Sequence, residues 1–273
     1  MSDLTVATND LESDGLKVGY VVLEGNLETA PTVELEGDLE VGIGGGVESS
    51  DLLKIKGMTA TEITLPTGMN ARYSLDSLFF HNTTIQKVII PTDITRIGEK
   101  AFAHATSLKT INSETDGEIV LWQGLTEIGD SAFQDCPAIV SADLEDSSIS
   151  RIGYGTFLLC THLQSVKLPF MLSEVSVSAF QTTALESITI PPMVYIIRSQ
   201  AFDSCSSLVE INFGNERSLV PTLENANAFH TDNPTTIADR KIIVPDDLYD
   251  SWIAADGWKE IKDWIVRYSD YYV

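Results

Sequence analysis

Apolar residues fall along this chain in one figure that is redrawn several times. The copy from Leu172 reads Leu172-x-x-Val175-x-x-x-Ala179-Phe180-x-x-x-x-Leu185-x-x-Ile188-x-Ile190-Pro191. The same places are filled by Ile94, Ile97, Ala101, Phe102, Leu108 and Ile111, and by Leu125, Ile128, Ala132, Phe133, Ile139, Ala142 and Leu144. They recur as Ile149, Ile152, Phe157, Leu163, Val166, Leu168 and Pro169, and from Met193 as Ile197, Ala201, Phe202, Leu208, Ile211 and Phe213. The Leu-x-x-Ile-x-Ile-Pro stretch alternates at period two and predicts a short strand, which Pro stops because it has no N–H to donate. The Ile-x-x-Ile stretch predicts a second extended piece. Ala-Phe predicts one turn of helix or 3-10 helix, with Ala admitting the neighbouring coil and Phe filling the hollow between coils.

The phenylalanines set the period. Phe79, Phe102, Phe133, Phe157, Phe180, Phe202 and Phe229 are separated by 23, 31, 24, 23, 22 and 27 residues, and Ala precedes all but Phe79 and Phe157. A period in the low twenties predicts a solenoid, in which each repeat buries its apolar side only against its neighbours. Such a rod offers an extended exterior rather than an enclosed pocket. The interval from Phe102 to Phe133 is about eight residues too long, and the copy at Phe229 lacks the following Leu-x-x-Ile.

The pattern L-x-x-I-x-L-P-x-x-(L/I)-x-x-I-x-x-x-A-F-x-x-C, over about residues 60–245, resembles the BspA-like, or treponemal-type, leucine-rich repeat. The resemblance implies a right-handed leucine-rich-repeat solenoid, mainly β with short helical or 3-10 turns. It also implies a binding protein without enzymatic activity, exposed on a cell surface or associated with a virion.

Both ends depart from the repeat. Residues 1–15 are acidic and polar and read as a flexible arm. Residues 16–56 alternate apolar and acidic positions, as in Leu16–Leu23, Val33–Glu36 and Leu39–Val41, which predicts half-exposed strands; Gly44-Gly45-Gly46 marks a loop or hinge. Residues 1–56 therefore form a strand-rich N-terminal segment, either a cap or a segment that docks on another chain, and residues 57–240 form the solenoid. Residues 241–273 form a helical, aromatic C-terminal cap. There Ile242–Pro245 predicts a last strand, Asp246 or Asp247 caps a helix to about Ala255, Gly257 breaks it, and Trp258–Tyr268 forms a second helix. Covering the terminal coil explains such a cap. Its aromatic load, Trp252, Trp258, Trp264, Tyr271 and Tyr272, also suits a subunit contact. The insertion Asn112–Gly124, which carries Trp122, is either an extra turn packed on the rod or a protruding contact loop.

Charge narrows the partners. The 273 residues hold 17 basic and 40 acidic side chains, a net charge of −23, and 11 of those acids fall in the first 50 residues against the single base Lys17. Nucleic acid needs Lys/Arg patches and is excluded, as is docking on anionic lipid. No apolar run is long enough to span a membrane, and residues 1–14 lack the features of a signal peptide. The expected setting is a virion or assembled particle after cytoplasmic synthesis, with a bacterial cell surface as the alternative if an export signal was removed.

Little in the chain points to chemistry. Cys136, Cys160 and Cys205 each lie three residues after a repeat Phe, where Ala105 and Thr183 stand in other copies. Their expected role is a small filler in a tight turn, and no zinc-ligand spacing is present. His81 and His104 hold equivalent places in adjacent coils, so they are expected to stack. No nucleophile–base set, phosphate loop or metal-hydrolase motif occurs, and neither cofactor nor catalytic residue is expected.

The exposed side of the first strand ladder is the more informative surface. Residues flanking each central Ile point outward. They are Lys87 and Ile89, Thr110 and Asn112, Ser141 and Asp143, Ser165 and Lys167, Ser187 and Thr189, and Glu210 and Asn212. This small, polar face is either solvated sheet or a shallow protein-binding face. The chain is expected to be a non-catalytic interaction and assembly module, a structural or attachment component of a phage virion, with a bacterial surface adhesin as the alternative. Its partners are expected to be proteins: other subunits, with a homo-oligomer among the options, or a cell-surface receptor.

Overall fold

The computed structural model describes residues 5–8, 11–13, 16–18, 21–24, 32–34, 61–65, 75 and 79–272. The expected strand at Leu39–Val41 and the Gly44–Gly46 hinge lie outside the described residues. Near the N-terminus Thr5–Thr8 pairs antiparallel with Val21–Glu24, and Leu11–Ser13 with Leu16–Val18.

From Thr32 onward the described residues form coils joined by parallel ladders. The long ladder begins with a seven-stranded sheet of Thr32–Glu34, Glu62–Thr64, Lys87–Ile89, Thr110–Ile111, Glu118–Val120, Ser141–Asp143 and Ser165–Lys167. A bond from Glu186 N–H to Gln164 O (3.4 Å) carries it into a second sheet. That sheet holds Ser187–Thr189, Glu210–Asn212, Lys241–Val244 and Ile265–Arg267, all parallel. Thr32–Glu34, which the alternation placed in the N-terminal segment, is thus a rung of the ladder.

The second extended piece of each repeat forms a shorter ladder. Arg96–Ile97 pairs with Glu127–Ile128, and Arg151–Ile152, Glu174–Val175, Ile196–Ile197 and Thr222–Leu223 follow in register. Its outward column begins with alternating charge, Arg96, Glu127, Arg151 and Glu174, and ends with Ile196 and Thr222, and neighbouring charges add to it. Arg96 meets Glu127 at 3.1 Å and Arg151 meets Asp130 at 3.3 Å. Arg198 meets Glu174 at 2.7 Å and holds that carboxylate below its ordinary range.

The phenylalanine turns make a third ladder. The N–H of Phe79, Phe102, Phe133, Phe157, Phe180 and Phe202 each donates to the residue before the next coil's Phe, at 2.7–2.9 Å. The N–H two residues further on donates to the next coil in the same way, as from His81 to Ala103 and from Asp135 to Leu158. Six copies are hydrogen-bonded turns rather than helices; only the last, Ala226–Phe229, is 3-10. The reason is backbone geometry. Residues two before and two after Phe sit at positive φ, as at Lys100 (54°), His104 (60°), Ser131 (56°) and Asp135 (54°), and a left-handed residue ends a helical turn.

The phenylalanine rings stack in one column through the rod. Successive centroids are 5.0–5.4 Å apart and planes lie within 3–9°. Since strands in a ladder lie about 4.8 Å apart, the rings are slightly offset, the favoured arrangement for facing aromatic rings. Parallel columns of buried Leu, Ile and Val complete the core.

The long interval after Phe102 is an extra rung. Glu118–Val120 inserts between Thr110–Ile111 and Ser141–Asp143. Asn112–Gly124 is therefore packed on the rod and does not protrude. Gly117 makes the fit possible: it sits at φ 83°, and a Cβ there would lie 2.7 Å from Val140 Cγ2.

The C-terminal cap differs from the two expected helices. Asp246–Leu248 is 3-10, Tyr249–Ala254 is α-helical, and Trp258–Trp264 is 3-10 with non-helical backbone at Ile261. The second helix stops there because Ile265–Arg267 joins the long ladder beside Lys241–Val244; a short helix, Tyr268–Tyr271, follows. Neither Asp246 nor Asp247 caps the first helix, and Asp246 Oδ1 accepts instead from Ser269 N–H at 3.0 Å. Gly257 breaks the chain as expected, at φ 78°, where a Cβ would strike Leu223 O at 2.5 Å.

Candidate protein-binding surface

Parallel register lines the outward residues of the long ladder into two columns. One runs Lys87, Thr110, Ser141, Ser165, Ser187 and Glu210, with Glu118 added by the extra rung. The other carries Ile89, Asp143, Lys167, Thr189 and Asn212, with Val120 added. The sequence pattern missed Glu118 and Val120 because their strand lies outside the repeat; the alternation Glu118-Ile119-Val120 was the available signal.

The expected sites do not share one environment. Ser165, Lys167, Ser187 and Thr189 are exposed, and they form the open centre of the face. Lys167 Nζ reaches Asp143 at 2.6 Å, which raises the lysine pKa. Thr110 is buried at 7 % exposure. Asn112 is not a strand residue: it turns at φ 51°, its Oδ1 accepts from Ile90 N–H at 2.7 Å, and its Nδ2 donates to Ile90 O at 3.0 Å. An Asn that bridges backbone in this way is committed to the fold. Lys87 pairs with Glu114 at 2.9 Å beside an open depression of about 170 Å³ lined also by Glu62, Lys109, Ser113 and Asp116.

The two sets of expected residues converge at one end of the ladder. Tyr271 and Tyr272 hydroxyls donate to Glu210 at 3.1 and 3.0 Å, and Asn212 Nδ2 donates to Tyr272 Oη at 2.7 Å. The terminal tyrosines thus cover Glu210 and Asn212. Partial burial, and then the neighbouring carboxylate, push the Tyr272 phenol up to about 12.

The tryptophans are largely internal. Trp252 and Trp258 are fully buried, and Trp122 is 8 % exposed with its N–H donating to Ile94 O at 2.8 Å. As subunit contacts these three are corrected: each is occupied by this chain's own core. Trp264 is half-buried and carries the Arg240 guanidinium 5.0 Å from its ring centre. Arg240 is itself a buried organiser that the sequence did not announce. It donates to Leu208 O at 2.9 Å, to Phe229 O and to Cys205 O at 3.4 Å, and burial pulls its pKa down to about 10.

The cysteines share one repeated site, as expected, and the structure adds a reason. Each Sγ lies 3.0 Å from a phenylalanine carbonyl of the preceding coil: Cys136 on Phe102, Cys160 on Phe133 and Cys205 on Phe180. A thiol there fills the turn and satisfies that oxygen. Burial pushes the Cys160 pKa up to about 12 and raises Cys136 and Cys205 as well, so none is an activated nucleophile. His81 and His104 stack with centroids 4.5 Å apart, and His104 Nδ1 meets Asp135 at 2.9 Å. Among the described residues no His/Cys/Asp/Glu cluster suits a metal ion, and no helix is long and apolar enough to cross a membrane.

Three parallel ladders around a single aromatic column, with chemistry confined to caps and turns, define a leucine-rich-repeat solenoid. The model of the BspA type leucine rich repeat region matches six copies over residues 57–120 and 73–209, more than half of the chain. The chain belongs to the BspA-type leucine-rich repeat family. Proteins of this family bind other proteins and are not known as enzymes. No curated protein matches the chain.

Solved structures share the fold. The chain is 23 % identical to the leucine-rich repeat protein of T. pallidum, with a TM-score of 0.54, over 71 % of this chain and 82 % of that one. It is 21 % identical to a leucine-rich cell surface protein of Faecalibacterium prausnitzii (TM-score 0.42, 77 % of this chain, 55 % of that one). It is 17 % identical to a leucine-rich repeat protein of Eubacterium ventriosum (TM-score 0.45, 63 % of this chain, 59 % of that one). The match thus spans less than two thirds of either of these last two.

Proposed function

We propose that this chain is a non-catalytic recognition rod that holds a protein partner along the open centre of its long ladder. The observation that carries this reading is the exposed quartet Ser165, Lys167, Ser187 and Thr189. It stands on two consecutive coils, each paired on its outer side, with Ser141–Asp143 and with Glu210–Asn212, and joined to one another by the bond from Glu186 N–H to Gln164 O. These outer pairings already hold both strands extended, so binding costs little rearrangement. Small polar groups backed by a rigid sheet suit a shallow protein surface. They do not suit a sugar, for which aromatic platforms would be expected.

The setting we favour is an exterior surface, in the manner of a bacterial adhesin. Assembly into a phage particle is the expectation from the sequence, and it rests only in part on the aromatic C-terminus. Burial of Trp252 and Trp258 weakens that part, leaving Tyr271 and Tyr272 exposed, whereas the centre of the ladder is open. A virion component is the second reading, favoured by the acidic first 50 residues.

One experiment tests both readings. Antibody raised against the coils is applied to intact cells of the source organism and to purified particles. Labelling of intact cells supports the surface reading, labelling of particles alone supports the virion reading, and signal only after lysis refutes both. Replacing Ser165, Lys167, Ser187 and Thr189 together by Glu is expected to abolish attachment while the rod stays folded. Unchanged attachment would move the site off the ladder.

A further inference from the structure

A second surface stands on the corner between the long and the second ladders. Bonds from Tyr195 N–H to Ser173 O (3.0 Å) and from Thr222 N–H to Tyr195 O (2.8 Å) fix the register of the last three coils. Three residues before the paired Glu174, Ile196 and Thr222, that register aligns Met171, Met193 and Leu219. These are 57 %, 50 % and 74 % exposed, and Phe170 (63 %) and Tyr195 (59 %) flank them. The same place in the three preceding coils holds Asp93, Gly124 and Ser148. The fold therefore does not require apolar side chains there; it requires only the buried residues beside them, such as Leu172 and Val194. A contiguous exposed apolar stripe on a monomer marks an interaction surface.

The rim is acidic. Glu145 and Asp146 are exposed in the turn before Phe170, and Glu216 is exposed before Leu219. The cation within the stripe is withdrawn: Arg217 is buried, its guanidinium donating to Val194 O at 2.7 Å and Pro191 O at 2.6 Å. Apolar centre and anionic margin together select a complementary occupant. A second copy would bring together two chains of net charge −23.

We propose that this stripe docks a basic amphipathic segment of another protein, whose apolar side chains cover Met171, Met193 and Leu219 while its Lys/Arg residues meet Glu145, Asp146 and Glu216. The methionines suit such a partner because their flexible thioethers adapt to different apolar surfaces. The apolar stripe shares no residue with the Ser165–Thr189 face, although the rim residue Glu145 lies near enough to Lys167 to help raise its pKa, so the Met171→Ser/Met193→Ser/Leu219→Ser variant is the one that separates the two surfaces.

The test uses the full chain and a synthetic helical peptide of Leu and Lys, with a control peptide bearing Glu in place of Lys. Fluorescence anisotropy at physiological salt is expected to show binding of the Lys peptide alone. The Met171→Ser/Met193→Ser/Leu219→Ser variant is expected to weaken it at least tenfold, and Glu145→Lys/Asp146→Lys is expected to weaken it and flatten its salt dependence. The second variant decides the matter if the first does not fold. Absent binding, equal binding of both peptides, or unchanged binding by the variants overturns the proposal. So does a self-associated form, or adsorption to phosphatidylcholine vesicles, that the triple variant abolishes, since either would assign the stripe to another occupant.

Discussion

Trp258 closes the phenylalanine column against Phe229, with ring centroids 6.0 Å apart and planes at 39°. The tilt ends the parallel stacking. The far side of the indole meets Trp252 at 5.4 Å and Phe213 at 5.5 Å, both edge-on, and its N–H donates to Pro221 O at 2.7 Å. A solenoid has no intrinsic end, so the last ring must find a partner that cannot itself be stacked upon.

Trp258→Ala is therefore expected to cost about 3–5 kcal/mol, the range for deleting a large buried aromatic side chain. Because coils are coupled only to neighbours, the loss is expected to concentrate at the C-terminal end. Hydrogen exchange should accelerate in the Phe229 coil well before the Phe133 coil. Uniform acceleration along the rod would show that Trp258 is no local cap.

Phe157→Ala tests the column at mid-length, where Phe133 and Phe180 each lie 5.4 Å away. The expected cost is again about 3–5 kcal/mol, but the consequence differs. Two weakened interfaces in the middle are expected to split urea unfolding into two transitions, whereas Phe157→Leu keeps one. A single transition with a loss below about 1 kcal/mol would mean that the column is not what couples the coils.

What the sequence revealed, and what it hid, follows from this physics. The column was legible because one residue type at one spacing performs one task in every coil. The left-handed turns were not, because Lys100, Ser131, Asp135, Leu159 and Gln200 have no common chemistry. Hydrogen bonds to the next coil impose their conformation, overriding preferences that would place Gly or Asn there. The strand Ile265–Arg267 was hidden for a similar reason: Trp258, Ile261 and Ile265 fall at helical spacing, and only pairing with Lys241–Val244 reveals the break at Ile261. At the candidate site, alternation placed the outward columns, but it carried no sign that distant tyrosines would fold back onto Glu210.

The thiols of Cys136, Cys160 and Cys205 offer a clock for opening of the rod. All three are buried and face phenylalanine carbonyls, and Cys160 is pushed up to about 12. Labelling of the folded protein by an aromatic disulfide is expected to proceed only as fast as the coils open. Raising the pH through the ordinary thiol range should not speed it appreciably while the rod stays folded. Cys205 is expected to react first after Trp258→Ala, being the nearest of the three to the disturbed end. Rapid labelling of the native chain would mean that the turns are open to solvent.

The tyrosine cover over Glu210 predicts a titration at high pH. Tyr272 lies at about 12 against an ordinary 10.0, from partial burial first and then from the Glu210 carboxylate, and Tyr271 is raised in the same direction. A phenol whose folded value exceeds its unfolded value keeps its proton longer when folded. The stability it contributes is therefore complete below 10.0 and is lost as pH climbs through about 12. With 47 % of Tyr272 exposed, solvent screens the interaction, and phenolate absorbance is a better readout than stability. Glu210→Gln removes the charge but not the enclosure, so the Tyr272 titration should move down without reaching the ordinary value. The same substitution weakens the hold on the terminal tyrosines, which Asn212 still contacts through Tyr272 Oη, and should modestly raise the proteolytic sensitivity of Tyr268–Tyr271. A Tyr272 titration unchanged by Glu210→Gln would mean that the terminal tyrosines do not rest on the ladder, leaving Glu210 and Asn212 open to a partner.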